Sequence, residues 1–136
     1  MGQAFHQITG RCFCGQLSYE ARPPMLWSAL CHCTDCRRAA GADYVAWFGV
    51  ERDGLVWTGR QRRHASSPGV FRSFCPDCGS PMAFESARFP DETHLMAPSL
   101  DDPRLYRPEA HVWWQQRVPW FTETTDLPRH DCGLDT

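Results

Sequence analysis

The chain has 136 residues and a formal net charge of −2, with no apolar run near the roughly 20 residues of a membrane span. That charge leaves no basic footprint for nucleic acid. Its 11 prolines and 10 glycines work against long helices. One domain is expected over residues 1–136, with a core from about residue 8 to 125 and an irregular tail over 126–136. Met1 to His6 carries neither a basic nor an apolar leader, and His6 stands where a myristoylation pattern wants Ser or Thr. The expected compartment is therefore the cytoplasm, where thiols stay reduced.

In chain order, residues 3–9 read as a short strand with Phe5 and Ile8 inward. Gly10-Arg11-Cys12-Phe13-Cys14-Gly15 reads as a turn. Residues 16–22 alternate Leu17, Tyr19 and Ala21 against Ser18, Glu20 and Arg22, which is the period of a half-buried strand. Cys12 and Cys14 thus sit at the bend of a hairpin. Pro23-Pro24 ends that strand, and the apolar run Met25 to Leu30 leads to Cys31-His32-Cys33-Thr34-Asp35-Cys36. Residues 34–40 predict one or two helical turns, capped by Thr34 and stopped by Gly41.

Tyr44 to Val50 is the best strand by composition. Asp53-Gly54 signals a turn and Leu55-Val56-Trp57 another strand, so residues 44–58 predict a hairpin. Arg60, Arg62, Arg63 and His64 form a basic run expected on a solvated face. Val70 to Phe74 leads into the knuckle Cys75-Pro76-Asp77-Cys78-Gly79, and Pro81 to Glu85 follows as strand. Glu92 to Ala97 and Ala110 to Trp114 are further short strands. The class is mostly β: a zinc-stabilised domain of short antiparallel strands with one short helix.

Eight cysteines raise the alternative of a disulfide-stapled secreted domain. The spacings oppose it, because a Cys-x-Cys pair brings two sulfurs to one metal easily but closes a strained disulfide ring. Seven of the eight fall into clusters of two, three and two. Cys75-x-x-Cys78-Gly is a zinc-knuckle spacing, and Cys12 with Cys14 supplies the matching pair for one tetrahedron. Cys31, Cys33 and Cys36 then remain, and three protein ligands with an open position describe a catalytic zinc rather than a structural one. Three thiolates make that zinc a modest Lewis acid, suited to a soft fourth ligand such as a substrate thiolate.

The competing closure is internal. Cys132, in His130-Asp131-Cys132, is the residue most able to fill the fourth position and leave a purely structural two-zinc domain. His32 is expected in a supporting contact or in solvent. His6, His64, His94 and His111 lack ligand spacing and are expected on the surface or in the core. Trp113-Trp114 and Trp120-Phe121 could line a pocket, but core packing is the default for such residues. Arg37 and Arg38 follow the three-thiol cluster and either steer an anionic ligand or decorate the helix.

The order and spacing of these motifs resemble the glutathione-dependent formaldehyde-activating enzyme family, also called the centromere-protein-V family. The resemblance rests on Gly10 to Gly15, on Cys31 to Arg38 with Gly41-Ala42, and on Phe74 to Pro81, with Ser99 to Pro103, His111 and Pro119-Trp120 as later support. It implies a β-rich fold with two zinc ions, similar to the Rab-accessory zinc proteins. It implies a structural site at Cys12, Cys14, Cys75 and Cys78 and a catalytic site at Cys31, Cys33 and Cys36. The implied activity is that of a carbon–sulfur lyase, with glutathione as co-substrate and formaldehyde or a related aldehyde as its partner. Arg37 and Arg38 become candidates for the carboxylates of the thiol substrate. The alternative from another class is a non-catalytic zinc module for protein interaction, as in the Rab-accessory relatives.

Overall fold

The computed structural model describes residues 7–134. Among these residues ten strands form two sheets, accompanied by one α-helix. β1 (Ile8–Arg11), β2 (Ser18–Ala21) and β5 (Leu55–Thr58) make a three-stranded antiparallel sheet in the order β1-β2-β5. The other strands are β3 (Trp27–Cys31), β4 (Val45–Glu51), β6 (Arg62–Ser67), β7 (Val70–Phe74), β8 (Pro81–Ser86), β9 (Glu92–Met96) and β10 (His111–Val112). They make a seven-stranded sheet in the order β10-β3-β4-β9-β8-β7-β6. Every pairing is antiparallel except β10 on β3. Helix α1 (Thr34–Ala40) follows β3 directly. The mostly β class with one short helix is as the sequence predicts. No helix among the described residues is long and apolar enough to cross a membrane.

The larger sheet is buried on both faces near its middle. One face meets the small sheet in a core that holds Tyr19, Phe48, Val50, Met82 and Leu95. The other carries Val45 and Trp47 against Cys31 and Cys36, with Phe84 and Met96 at the edge. A strand covered on both sides reads as a continuous apolar run, which is why Val45 to Val50 shows no alternation. β2 is covered on one side only, and its predicted inward residues Tyr19 and Ala21 are indeed buried, with Leu17 just before it.

The predicted hairpin over residues 44–58 does not form. Both edges of β4 are taken, by β3 and β9. A 3-10 turn over Arg52–Gly54 carries the chain across to the small sheet, where β5 pairs with β2. Leu55 and Trp57 alternate with the more exposed Val56 and Thr58, so β5 has one face to bury and suits an edge of the small sheet. Among the described residues β1 begins at Ile8 and includes Gly10. Phe5 and His6 lie outside the described residues. β1 and β2 do form the expected hairpin around Cys12 and Cys14.

A row of paired residues crosses the outer face of the large sheet: Trp27, Gly49, His94, Phe84, Arg72 and His64, from β3 to β6. Trp27 lies over Gly49, where a Cβ would run into the indole. It meets His94 edge-on with centroids 4.6 Å apart, and its Nε1 donates to Glu92 Oε1 at 2.9 Å. His94 stacks on Phe84 at 5.5 Å, and the Arg72 guanidinium lies 5.1 Å from the Phe84 centroid. Such cross-strand contacts fix the register of neighbouring strands. Here they also carry Arg72 to the thiol cluster.

Candidate metal centres and cleft

The hairpin bend between β1 and β2 and the knuckle between β7 and β8 meet. Cys12, Cys14, Cys75 and Cys78 place their sulfurs within 4.8 Å of one another. The Cys12–Cys14 and Cys14–Cys75 separations are 3.7 and 3.8 Å. A tetrahedron with metal–sulfur bonds of about 2.3 Å has edges of about 3.8 Å, so this donor set fits a zinc ion. Cys75 is fully buried. Its turn is closed by the Gly79 N–H on the Cys75 carbonyl at 2.8 Å, with Gly79 at φ 78°.

Further groups face these sulfurs. The Leu17 N–H donates to Cys12 Sγ at 3.4 Å and Gln16 Nε2 to Cys75 Sγ at 3.2 Å. Gln16 is itself held by the backbone of Arg60 through both ends of its amide. The Ser80 hydroxyl is 3.2 Å from Cys78 Sγ and accepts from the Phe13 N–H. Ser80, first through that hydroxyl, brings the Cys78 thiol down to about 5. Gln16 lies outside the cysteine motifs, and Ser80, though within the Phe74 to Pro81 stretch, is not at a ligand position, so cysteine spacing alone does not reveal their roles.

The second cluster joins the end of β3 to helix α1. Cys31, Cys33 and Cys36 also lie within 4.8 Å of one another, and no other described cysteine belongs to the group. Cys132 is exposed and outside both clusters. No disulfide is formed among the described residues. The helix is not capped by Thr34 as predicted. Its N-cap is Cys33, whose sulfur accepts from the Cys36 N–H at 3.3 Å, so one ligand both caps the helix and joins the cluster. Gly41 closes the other end in the left-handed conformation, as expected.

Within this cluster the neighbouring Cys31 and Cys33 thiols hold Cys36 down, helped by Trp47 and Arg72. Cys31 is pushed up by Cys33 and Cys36. Cys36, the thiol held down, is the one that faces Arg72. Arg72 Nη1 and Nη2 reach Cys36 Sγ at 3.8 and 3.9 Å. Arg72 lies 36 residues along the chain from Cys36, so no local motif marks it.

Of the predicted substrate contacts, Arg37 turns inward. It donates to the His32 carbonyl and the Thr34 hydroxyl, each at 3.3 Å. Arg38 is exposed on the helix. His32 is fully buried, and its Nε2 lies 2.9 Å from His111 Nδ1. Its Nδ1 is the one buried side-chain nitrogen or oxygen without a partner among the described residues. Burial holds His32 below its usual value, and His111, Arg117 and Arg37 add to that. Tyr44, Trp114 and Phe121 surround the ring at centroid distances of 5.4, 5.2 and 5.0 Å. His111 is therefore a partner of the cluster's own loop, which its sequence position does not reveal. Of the late aromatics, Trp113 and Trp120 are not core, at 56% and 49% exposed, whereas Trp114 and Phe121 pack on the His32 ring.

A cleft of about 230 Å³ opens beside Cys36, between α1 and the outer face of the large sheet. Ala39, Ala40, Trp47, Phe74 and Met96 form its apolar walls, with Arg72 and His64 on one side. A larger cleft of about 430 Å³ lies between the sheets and contains no cysteine. Its carboxylate, Glu85, is paired with Arg63 at 2.9 Å and Arg52 at 3.4 Å. The chemistry-bearing groups are at the smaller one.

A mostly β fold with one short helix, carrying two cysteine clusters that could hold metal ions, is the class this structure defines. The chain belongs to the glutathione-dependent formaldehyde-activating enzyme family, whose model matches residues 7–116. It is 27% identical over 124 residues to a Halomonas elongata protein provisionally named a glutathione-dependent formaldehyde-activating enzyme, covering 83% of this chain and 78% of that one. The crystal structure of a Rhodobacter sphaeroides protein superposes with a TM-score of 0.63 at 19% identity, over 77% of this chain and all of the other. That likeness is one of fold.

Proposed function

We propose that the protein is a zinc-dependent carbon–sulfur lyase that makes or breaks the adduct of a small thiol with a carbonyl compound, glutathione and formaldehyde or a related aldehyde being the leading pair. The observation that carries this reading is the contrast between the clusters. One offers four sulfurs, a full tetrahedron, and the other offers three at the edge of a cleft. Cys12, Cys14, Cys75 and Cys78 are assigned a structural zinc that ties the β1–β2 hairpin to the β7–β8 knuckle. Cys31, Cys33 and Cys36 are assigned the catalytic one.

Zinc bound by those three thiolates would supply Lewis acidity that keeps a substrate sulfur ionised near neutral pH. The residues around it set charge and position. Arg72 balances the thiolate charge at Cys36, and the Cys36 N–H does the same at Cys33. The apolar cleft walls exclude water, and holding both reactants there lowers the entropic cost of their meeting. In the forward direction the thiol sulfur adds to the carbonyl carbon. The carbonyl π pair moves to oxygen, which takes up the proton the thiol gave. The reverse breaks the same carbon–sulfur bond. Arg37 and Arg38 remain proposals for the carboxylates of the thiol substrate, Arg38 being the more available.

The test is zinc content and zinc–sulfur coordination by X-ray absorption, with and without glutathione. Two zinc ions and seven protein sulfurs are expected, with an eighth sulfur only when glutathione is added. Eight sulfurs without added thiol, one of them lost in Cys132→Ser, would overturn the proposal. A second reading, a module that docks a protein partner, draws on the exposed Val112, Trp113 and Trp120 near His111. It predicts partner binding that Trp113→Ala abolishes and glutathione leaves unchanged.

A further inference from the structure

The cleft beside Cys36 is poorly matched to a tripeptide thiol. Glutathione carries two carboxylates and an ammonium. The lining offers Arg72 and His64 as polar groups besides Cys36 and Ser73, against walls of Ala39, Trp47, Phe74 and Met96. Burying unpaired charge against such walls costs several kcal/mol per group, so the peptide part belongs outside. The cleft is equally ill matched to formaldehyde. A two-heavy-atom carbonyl fills about 60 Å³, the share of two waters, and most of the 230 Å³ would be left as water against apolar side chains.

We propose that this cleft is the subsite for the carbonyl-derived part of the adduct, and that the preferred carbonyl compound is an aldehyde with an aromatic or branched aliphatic group. The inference rests on the reading of the three-sulfur cluster as the thiol-binding centre. The polar pole of the cleft suits the reaction. Arg72 sits where Cys36 meets the apolar walls, so the aldehyde oxygen can face its guanidinium while the apolar group points toward Phe74 and Met96. As the sulfur–carbon bond forms, the carbonyl electron pair collects on that oxygen opposite a fixed positive charge. The oxygen then takes the proton released by the thiol, and the product is a hemithioacetal. No oxidant or reductant is needed.

Stable thioethers of glutathione stand in for the adduct, and their binding can be read without turnover. With the zinc-loaded protein, isothermal titration of S-methyl-, S-propyl- and S-hexylglutathione should show affinity rising about fourfold per added methylene until the cleft is full. S-benzylglutathione should bind at least tenfold more tightly than the S-methyl compound. Ala39→Phe, at an exposed helix position on the cleft wall, should bring the benzyl compound down to the level of the methyl one. A second readout uses the wild type alone. The Met96 methyl resonance should shift in the ring current of the benzyl group and stay in place with the S-methyl compound.

A flat affinity series, or a Met96 methyl that does not move, overturns the inference. If the series is flat while glutathione binds and formaldehyde is turned over, the subsite assignment alone fails. If the zinc loads but neither glutathione nor any thioether binds, the lyase reading fails and takes the inference with it.

Discussion

Arg72 donates to the Cys36 sulfur from both terminal nitrogens, at 3.8 and 3.9 Å, with its guanidinium 5.1 Å from the centre of the Phe84 ring. The stack holds the charge in place from one side and the sulfur uses it on the other. Replacing Arg72 by Gln should weaken metal retention by the Cys31, Cys33 and Cys36 cluster about tenfold or more, the scale of one charge-assisted contact. The four-cysteine cluster should be unaffected. Chelator competition that follows the two classes of bound zinc separately would show this. Equal weakening of both would mean that Arg72 acts on the fold instead.

The two clusters should also part company when a ligand is removed. Cys75 has no exposed surface and joins segments 61 residues apart. Cys75→Ala should unfold or aggregate the protein, since structural zinc contributes on the order of 10 kcal/mol, as much as a domain's net stability. Cys36→Ala should keep the circular dichroism spectrum and lose zinc from one cluster with activity. Similar thermal destabilisation by both would remove the structural and catalytic division.

Gly49 lies beneath the Trp27 indole, with no room for a Cβ. Trp27 cannot easily retreat, because Glu92 and His94 hold its other side. Gly49→Ala should cost about 1–3 kcal/mol, as overpacking does. Urea denaturation of the zinc-loaded protein would measure it, and an unchanged midpoint would show that the indole swings away.

His111 supplies the one hydrogen bond of the buried His32 ring. His111→Ala leaves both ring nitrogens of His32 without a partner and should cost about 1–3 kcal/mol. His111→Asn, which keeps a polar side chain there, should recover part of that loss in the same urea titration. If alanine and asparagine behave alike, the contact contributes nothing measurable.

Burial pushes His94 below its ordinary value, against the opposing pull of Glu92 at 3.0 Å. The unfolded chain then binds the proton more readily than the folded one. Stability from this group is present above about pH 6.5 and lost as pH falls through the lower folded value. With zinc kept saturating, wild type should lose more stability between pH 7 and pH 5 than His94→Gln does. A slope that the substitution leaves unaltered would assign the acid sensitivity elsewhere.

The cysteine clusters were legible in the sequence because ligand spacing is a local property: Cys-x-Cys, Cys-x-x-Cys and a seven-residue helix each need only a few neighbouring residues. The same is true of the alternation in Leu17, Tyr19 and Ala21, of the stop at Gly41, and of the family resemblance those motifs carry. The partners of the clusters were not legible. Arg72 and His111 come to Cys36 and to His32 through strand pairing in the large sheet, where register is settled by which faces are buried, and Gln16 and Ser80 reach the sulfurs because the β1–β2 bend meets the β7–β8 knuckle. The failed hairpin over residues 44–58 has the same cause, since β4 had both edges taken and β5 had only one apolar face. Sequence alone thus determined that three thiols stand together after β3 and that four others can meet. Only the tertiary structure decided that Cys132 stays apart and that an apolar cleft opens beside Cys36, because those depend on the packing of α1 against strands far away in the chain.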